Sequence, residues 1–317
     1  IKSKKIKDKS NYPGNIKWLA IVDRYFMKSL IPLDDTKGAM KLSLDGNGIL
    51  SNRFVGQESA IQPGTQKRFA YEIFFGPKST QVLKDVGHDL GKAIHFGMFD
   101  IIAKPLLWFM NFIYGRIPNY GIAIIVLTIL TKILLWPLGS KSYKSMSEMK
   151  RLQPLMAEIR EKHKDDKKMM NQEIMSLYRT YKINPMGGCL PMILQIPVFF
   201  ALYRMLYQAI ELRHAPFFLW INDLSAPDRL FHFSFSIPFM QPPYGIPVLT
   251  VIMGATMLLQ QKMSPPPGDP TQAKMMMLMP IVFTVIFINF SSGLVLYWLI
   301  NNVLSIAQQT YIQKKYA

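Results

Sequence analysis

The chain has 317 residues, a formal net charge of +17 and 50% hydrophobic residues, but only 18% of its residues are charged. Several apolar runs are about as long as a bilayer is thick, which excludes an ordinary soluble globular protein and predicts an integral membrane protein. The positive charge suits nucleic acid or an anionic surface, and its distribution along the chain decides between them.

Residues 1–97 have the composition of a soluble region. Gly and Pro recur, and short alternating runs such as "MKLSLDG" and "KRFAYEIFFG" lie between them, which predicts strands and turns of a partial β-sandwich. Residues 80–96 are predicted to form a helix, because Val82, Val86 and Leu90 follow at spacing four. No signal peptide follows the basic start, so we expect a fragment whose export signal or first span lies upstream.

Residues 98–116 are apolar and rich in aromatic residues, but Pro105 interrupts the run, and Asp100 and Lys104 share one face. This pattern predicts an amphipathic helix that lies in the membrane interface. The alternative is the start of a membrane span, against which the proline and the charges argue.

Five transmembrane spans are predicted after this helix. Their approximate bounds are 119–139, 189–211, 246–262, 275–291 and 293–312. We therefore predict a predominantly α-helical integral membrane protein with a five-span core (117–317), preceded by the interfacial helix (98–116) and the partial β-sandwich (1–97). Cys189, at the start of the second span, is the single cysteine, so an intramolecular disulfide is excluded. We interpret it as a small buried apolar residue.

A polar insert, 140–188, separates the first two spans, and its helical periodicity predicts a helical hairpin. It carries 11 Lys and Arg against 6 Asp and Glu, whereas segment 213–245 has only two basic residues, Arg213 and Arg229. The positive-inside rule therefore places the hairpin, the 262–274 loop and the basic tail (Lys314, Lys315) in the cytoplasm. Segment 213–245 and the N-terminal region are expected on the outer side. The cytoplasmic charge then suits anionic lipid headgroups and ribosomal RNA, and gives no evidence for DNA binding.

Lys132 lies within the first span, where a charge costs about 2.5–3.5 kcal/mol at the bilayer centre. Either its ammonium reaches the inner interface along its flexible stem, or it faces a hydrated cavity within the bundle. Thr128 lies one turn earlier on the same face, which favours the cavity. No acidic residue is placed to pair with Lys132 inside the spans, so such a cavity would attract anionic groups.

Other spans also contain polar residues, which could be ordinary interhelical contacts or part of the same polar interior. They are Gln195, Gln260, Gln261, Asn289, Asn301 and Asn302. Arg204 lies near the outer end of its span, and we interpret it as a charge that reaches the interface. The abundant methionines, as in "KMMMLMP", either pack against core and lipid or form an adaptable apolar surface. No pattern of a nucleophile, metal site or nucleotide-binding loop is found, so neither an enzyme nor a cofactor is predicted.

Several long motifs resemble the YidC/Oxa/Alb membrane protein insertase family, in its Gram-negative bacterial branch. They are "LLWPLGSKSYKSMSEMKRLQP" (134–154), "NPMGGCLPMILQIPVFFALY" (184–203), "ELRHAPFFLWINDLSAPD" (211–228), "KMSP" (262–265) and "SSGLVLYWLINN" (291–302). The match covers about 98–317, and residues 12–97 resemble, more weakly, the end of the family's periplasmic β-sandwich domain.

The resemblance implies that the protein inserts transmembrane helices into the inner membrane and assists their folding, alone or with the Sec translocon. The five spans would enclose a groove that is open to the cytoplasm and to lipid. A positive residue in the groove would attract acidic residues in the external tail of a nascent membrane protein. The hairpin and the basic tail would meet ribosomes and targeting factors, and anionic lipids would be further partners.

Carried over residue by residue, Lys132 takes the place of the family's usual groove arginine, which keeps the charge but loses the planar five-donor fork. The groove would be lined by Thr128, Gln195, Gln260, Tyr297, Trp298 and Asn302, and Ile196 and Phe199 would lie on the client-contact span. Two alternatives remain: a secondary transporter or channel that binds an anion at Lys132, and a scaffold in which Lys132 has no function. No internal repeat supports the transporter.

Overall fold

In the computed structural model, residues 10–34, 37–181, 190–264 and 270–316 are described. Cys189, the end of the predicted hairpin and residues 265–269 of the predicted 262–274 loop lie outside these ranges. The chain divides into two compact units. The first comprises the described residues up to His95 with Gln208–Ile210, and the second comprises Phe96–Tyr207 with the residues from Glu211 onward.

The first unit contains two three-stranded antiparallel sheets, with strand orders β1-β4-β5 and β2-β3-β6. The strands are β1 (Ser10–Asn15), β2 (Leu19–Val22), β3 (Phe26–Pro32), β4 (Lys37–Leu44), β5 (Leu50–Gly56) and β6 (Tyr71–Pro77). Asn52 on β5 donates through Nδ2 to the Ala20 carbonyl on β2 at 3.4 Å, which joins the sheets. Met27 and Ile31 lie on the same face of β3 and are 1% and 0% exposed, so this face contributes to the core of the unit.

The prediction of a single helix over 80–96 is wrong. Helix α1 (Thr80–Val86) ends at Gly87, and a short 3-10 helix follows at Leu90–Ala93. Gly87, His88 and Asp89 all have positive φ, at 80°, 49° and 62°. Three successive residues in this region cannot continue a right-handed helix, so the chain turns although its apolar spacing continues.

The second unit is predominantly helical. Its helices are α2 (Asp100–Tyr114), α3 (Tyr120–Leu134), α4 (Trp136–Arg151), α5 (Gln153–Lys162), α6 (Lys167–Thr180), α7 (Leu190–Gln208), α8 (Val248–Met263), α9 (Pro270–Phe287) and α10 (Ser292–Tyr316). A short two-stranded ribbon, β7 (Leu230–Phe233) with β8 (Tyr244–Ile246), precedes α8. The predicted fold class, a mainly helical chain after a β-rich segment, is confirmed.

Helix α2 continues through Pro105, which was predicted to interrupt the apolar run. The missing N–H removes only one bond, to the carbonyl four residues earlier. Asp100 and Lys104 form an ion pair at 3.3 Å on one face. Ile101 and Trp108 are 86% and 66% exposed, whereas Leu107 and Met110 are buried, so this helix has one packed and one exposed apolar side.

The first predicted span, 119–139, is not one straight helix. It bends by 65° where α3 meets α4 at Leu135, and this bent pair together is long and apolar enough for a bilayer. Pro137 lies at the start of α4; its missing donor and its restriction of Trp136 explain the break. Among the described residues, no helix by itself combines the length and the apolar character needed to cross a membrane.

Helices α5 and α6 pack together at the predicted hairpin. Met156 on α5 is buried, and the Tyr178 hydroxyl on α6 donates to its sulfur at 3.5 Å. Glu173 accepts from Lys162 Nζ at 3.0 Å and pairs with His163 Nε2 at 2.9 Å. The Lys162 ammonium, followed by His163, holds the pKa of Glu173 below its usual range.

The segment between α7 and α8 is joined to the α9–α10 turn by Arg229, which is only 7% exposed. Its guanidinium donates to the carbonyls of Pro243 (2.9 Å), Asp228 (2.8 Å) and Ile288 (2.8 Å). Burial lowers the pKa of Arg229 below its usual value, and the neighbouring Asp228 only partly offsets this shift. An arginine nevertheless remains charged.

Asn289 was predicted to lie within the fourth span, but it belongs to the same junction. Helix α9 ends at Phe287, and Asn289 lies in the turn that follows. Its Oδ1 accepts from the Gln241 amide at 2.8 Å, and its Nδ2 donates to the Phe239 carbonyl at 2.7 Å. The residue therefore fastens the turn to the segment before α8.

Candidate functional site

A stripe of polar residues runs along α10, where the other helices of the second unit meet. Asn302, Ser305, Gln308 and Gln309 recur at spacings of three and four and are at most 4% exposed. This spacing places them on the sides of α10 that face its neighbours. Helix α10 packs on α3, α4 and α8, so Asn302, Ser305 and Gln308 can join several helices through hydrogen bonds. Both polar atoms of the Gln309 side chain are buried without a hydrogen-bond partner among the described residues.

Lys132 lies in the last turn of α3 and extends to this stripe. Its Nζ donates to Ser305 Oγ at 2.6 Å, and Ser305 Oγ donates to the Asn301 carbonyl at 2.7 Å. Within the described residues, no acidic group pairs with Lys132. A cation at a helix C-terminus is favoured by the helix dipole, which supports Lys132 at this position.

Three further contacts continue the polar stripe onto α7, α8 and α4. Gln195 Nε2 on α7 donates to Asn301 Oδ1 at 3.2 Å, and Asn302 Nδ2 donates to Thr256 Oγ1 on α8 at 3.2 Å. The Tyr143 side chain on α4 lies near both Gln260 and Ser305. The structure therefore links the predicted Gln195 to Lys132 through Asn301 and Ser305. It places the predicted Asn302 on the same helix, in a separate contact to α8.

The bend between α3 and α4 is fastened to the same helix. Gln308 Nε2 donates to the Trp136 carbonyl at 3.0 Å and to Ser140 Oγ at 3.2 Å. Gln308 thus binds the α4 side of the bend, and Ser305 binds Lys132 on the α3 side.

Two predicted lining residues are buried away from the polar contacts. Thr128 is 1% exposed and donates to the Ile124 carbonyl of its own helix at 2.6 Å. Tyr297 is 4% exposed. Thr128 therefore keeps its predicted position one turn before Lys132, but its hydroxyl proton is occupied within α3.

Of the two predicted client-contact residues, Phe199 packs against Trp298 in an aromatic cluster. The Trp298 ring meets Phe199 on α7 edge to face at 4.7 Å, and it meets Phe287 on α9 at 4.8 Å. Ile196 is 44% exposed on α7. Arg204, which was interpreted as a charge that reaches the interface, is also exposed on α7.

Sequence reasoning missed Ser305, Tyr143, Thr256 and Gln308. A signal existed for two of them, because Ser305 and Gln308 continue the spacing of Asn301 along one helix. Tyr143 and Thr256 had no comparable signal, since a single Tyr or Thr in a helix is ordinary. Within the residues that the structure describes, no group of three His, Cys, Asp or Glu side chains could hold a metal ion.

Two family models match the chain. Residues 112–317 match the family described as 60Kd inner membrane protein, and residues 1–109 match the YidC periplasmic domain. The second model corresponds to the β-rich first unit and the first to the helices that carry the polar stripe.

The chain is also similar to individual proteins named membrane protein insertase YidC. It is 53% identical over 302 residues to the one from Syntrophus aciditrophicus, covering 95% of this chain and 53% of that protein. It is 47% identical over 318 residues to the one from Pelobacter propionicus, covering 99% and 58%. The chain thus spans little more than half the length of these relatives.

A solved structure titled as an active YidC insertase crystal structure with the first transmembrane domain resolved has the same fold. Its TM-score is 0.54 at 24% identity, with 93% of this chain and 64% of that chain covered.

Proposed function

Because this chain belongs to the family of 60Kd inner membrane proteins that includes the YidC insertases, we propose that the complete protein is a membrane protein insertase. It inserts transmembrane helices of nascent proteins into the inner membrane and assists their folding. Apart from the family match, the observation that supports this proposal is the Lys132 ammonium on the polar stripe, without an acidic partner among the described residues.

We propose, from the family match and the apolar runs of the sequence, that five segments cross the inner membrane: α3 with the start of α4, and the segments that contain α7, α8, α9 and α10. The helices of segment 140–181 and the basic C-terminus then lie in the cytoplasm, and the β-rich unit lies in the periplasm. The exposed basic side chains of α4–α6 support this orientation; they include Lys141, Lys144, Lys150 and Arg151. The polar side chains of α10 offer hydrogen-bond partners to a polar segment, which lowers the cost of removing that segment from water.

In this proposal Lys132 attracts an acidic residue in the external tail of a client. Two unit charges about 4 Å apart attract by roughly 4 kcal/mol at an effective dielectric constant of 20. One or two carboxylates in the tail are therefore enough to concentrate the client near Lys132. The apolar segment of the client then passes Ile196, Phe199 and Trp298 into lipid, driven by its own hydrophobicity.

The proposed partners follow from the charge distribution and the family. Nascent membrane proteins with acidic or weakly charged tails are the substrates. The Sec translocon cooperates with the protein, ribosomes and targeting factors bind the α5–α6 hairpin and the basic tail, and anionic lipids neutralise the exposed lysines. No chemical step, metal or cofactor belongs to this mechanism.

The test is to produce the complete protein in cells depleted of their own insertase and to measure two quantities. These are growth and the insertion of a single-span client whose external tail is acidic. We expect restored growth and a client tail that becomes accessible to external protease, with cells carrying the empty vector as the control. A protein that reaches the membrane but leaves the tail protected contradicts the proposal, and anion uptake by the same cells would favour a transporter.

A further inference from the structure

The structure shows a contact that fixes where the charge of Lys132 lies, and this contact involves a residue outside the predicted groove. Ser305 is 4% exposed on α10, opposite the last turn of α3. Its hydroxyl oxygen accepts from Lys132 Nζ at 2.6 Å. A lysine side chain has four rotatable bonds, so without such a contact its ammonium would occupy many positions.

The lone pairs of the Ser305 hydroxyl oxygen are held in one orientation by a hydrogen bond within α10. A serine hydroxyl has one proton and two lone pairs. The proton of Ser305 goes to the Asn301 carbonyl of its own helix at 2.7 Å, which directs the lone pairs away from α10. One of them receives Lys132, and the Tyr143 hydroxyl on α4 lies beside the same oxygen.

We infer that Ser305 is a positioning residue that holds the Lys132 ammonium at the polar stripe and leaves its remaining donors available to a carboxylate of the client tail. An ammonium has three donors, and the hydrogen bond to Ser305 uses one. This inference rests on the proposed insertase function, since it assigns the residue that presents the charge in that function.

The variant Ser305→Ala removes the oxygen without changing any charge. We expect a three- to tenfold lower insertion of a client with an acidic tail, in line with the net contribution of one ordinary hydrogen bond. Ser305→Ala should insert a matched client, in which Asn and Gln replace the Asp and Glu of the tail, as well as the wild-type protein does. Ser305→Thr keeps the hydroxyl and should restore insertion of the acidic client.

A matched control is available on the same helix. Thr310 donates to the Ile306 carbonyl at 2.8 Å in the same pattern as Ser305, but no contact joins it to Lys132. Thr310→Ala should therefore insert both clients like the wild type. If Ser305→Ala does not accumulate in the membrane, Ser305→Cys has a similar volume and a weak acceptor, and it should show the same selective loss.

The double variant separates positioning from a structural role. With Lys132→Ala in place, adding Ser305→Ala should change insertion of the acidic client no further. An additive loss, an equal loss for both clients, or wild-type insertion by Ser305→Ala would each overturn the inference. A different result would contradict the proposed function itself: the wild-type protein would insert neither client.

Discussion

Replacing Lys132 by Ala or Glu in the complete protein is expected to reduce insertion of a client with an acidic tail at least tenfold. Lys132 has no acidic partner in the described structure, so its charge is available to the client. An attraction of roughly 4 kcal/mol at 4 Å and an effective dielectric constant of 20 leaves room for a tenfold loss, which corresponds to about 1.4 kcal/mol. Lys132→Arg should remain active, because it keeps the charge and adds donors.

The measurement is the fraction of client tail cleaved by external protease, at matched amounts of each variant in the membrane. Lys141→Ala is the control, since this exposed lysine on α4 carries the same charge outside the polar stripe. Equal insertion by Lys132→Ala, Lys132→Glu and the wild type would show that the lysine is only a tolerated charge.

Replacing Arg229 by Met is expected to lower the free energy of unfolding by about 3–5 kcal/mol. Three backbone carbonyls, of Pro243, Asp228 and Ile288, lose their donor. Each buried carbonyl without a partner costs about 1–3 kcal/mol, reduced where water can enter. Arg229→Lys should fall between the wild type and Arg229→Met, because one ammonium cannot reach all three acceptors in the geometry of the fork.

The thermal midpoint of unfolding in detergent provides this measurement. Arg53→Met, at an exposed position on β5, serves as the control and should change the stability by no more than about 0.5 kcal/mol. A midpoint for Arg229→Met that equals the wild-type value would mean that the segment before α8 and the α9–α10 turn are held together by other contacts.

The helices could be located from the sequence, because each corresponds to a long apolar or periodic run. Their interruptions were harder to predict. The bend at Leu135 depends on Pro137 within an otherwise apolar run. The end of α1 depends on the positive φ values of His88 and Asp89, which their residue types allow but do not require.

The candidate site was predictable in its charge but not in its contacts. Lys132 was identified because a charge within an apolar run is costly. Its hydrogen-bond partner is 173 positions away on α10, and the packing of α3 on α10 is a property of the tertiary structure. Serine is common in helices that pack closely, so Ser305 could not be distinguished from other serines in advance.

The central claim is that the charge of Lys132 recognises the charge of the client tail. The most direct measurement is the insertion of three clients, with acidic, neutral or basic tails, by the wild type, Lys132→Ala and Lys132→Glu. The account predicts that the ratio of acidic to basic insertion is highest for the wild type, lower for Lys132→Ala and lowest for Lys132→Glu. The same ratio in all three proteins would contradict it, because insertion would then not depend on the charge at position 132.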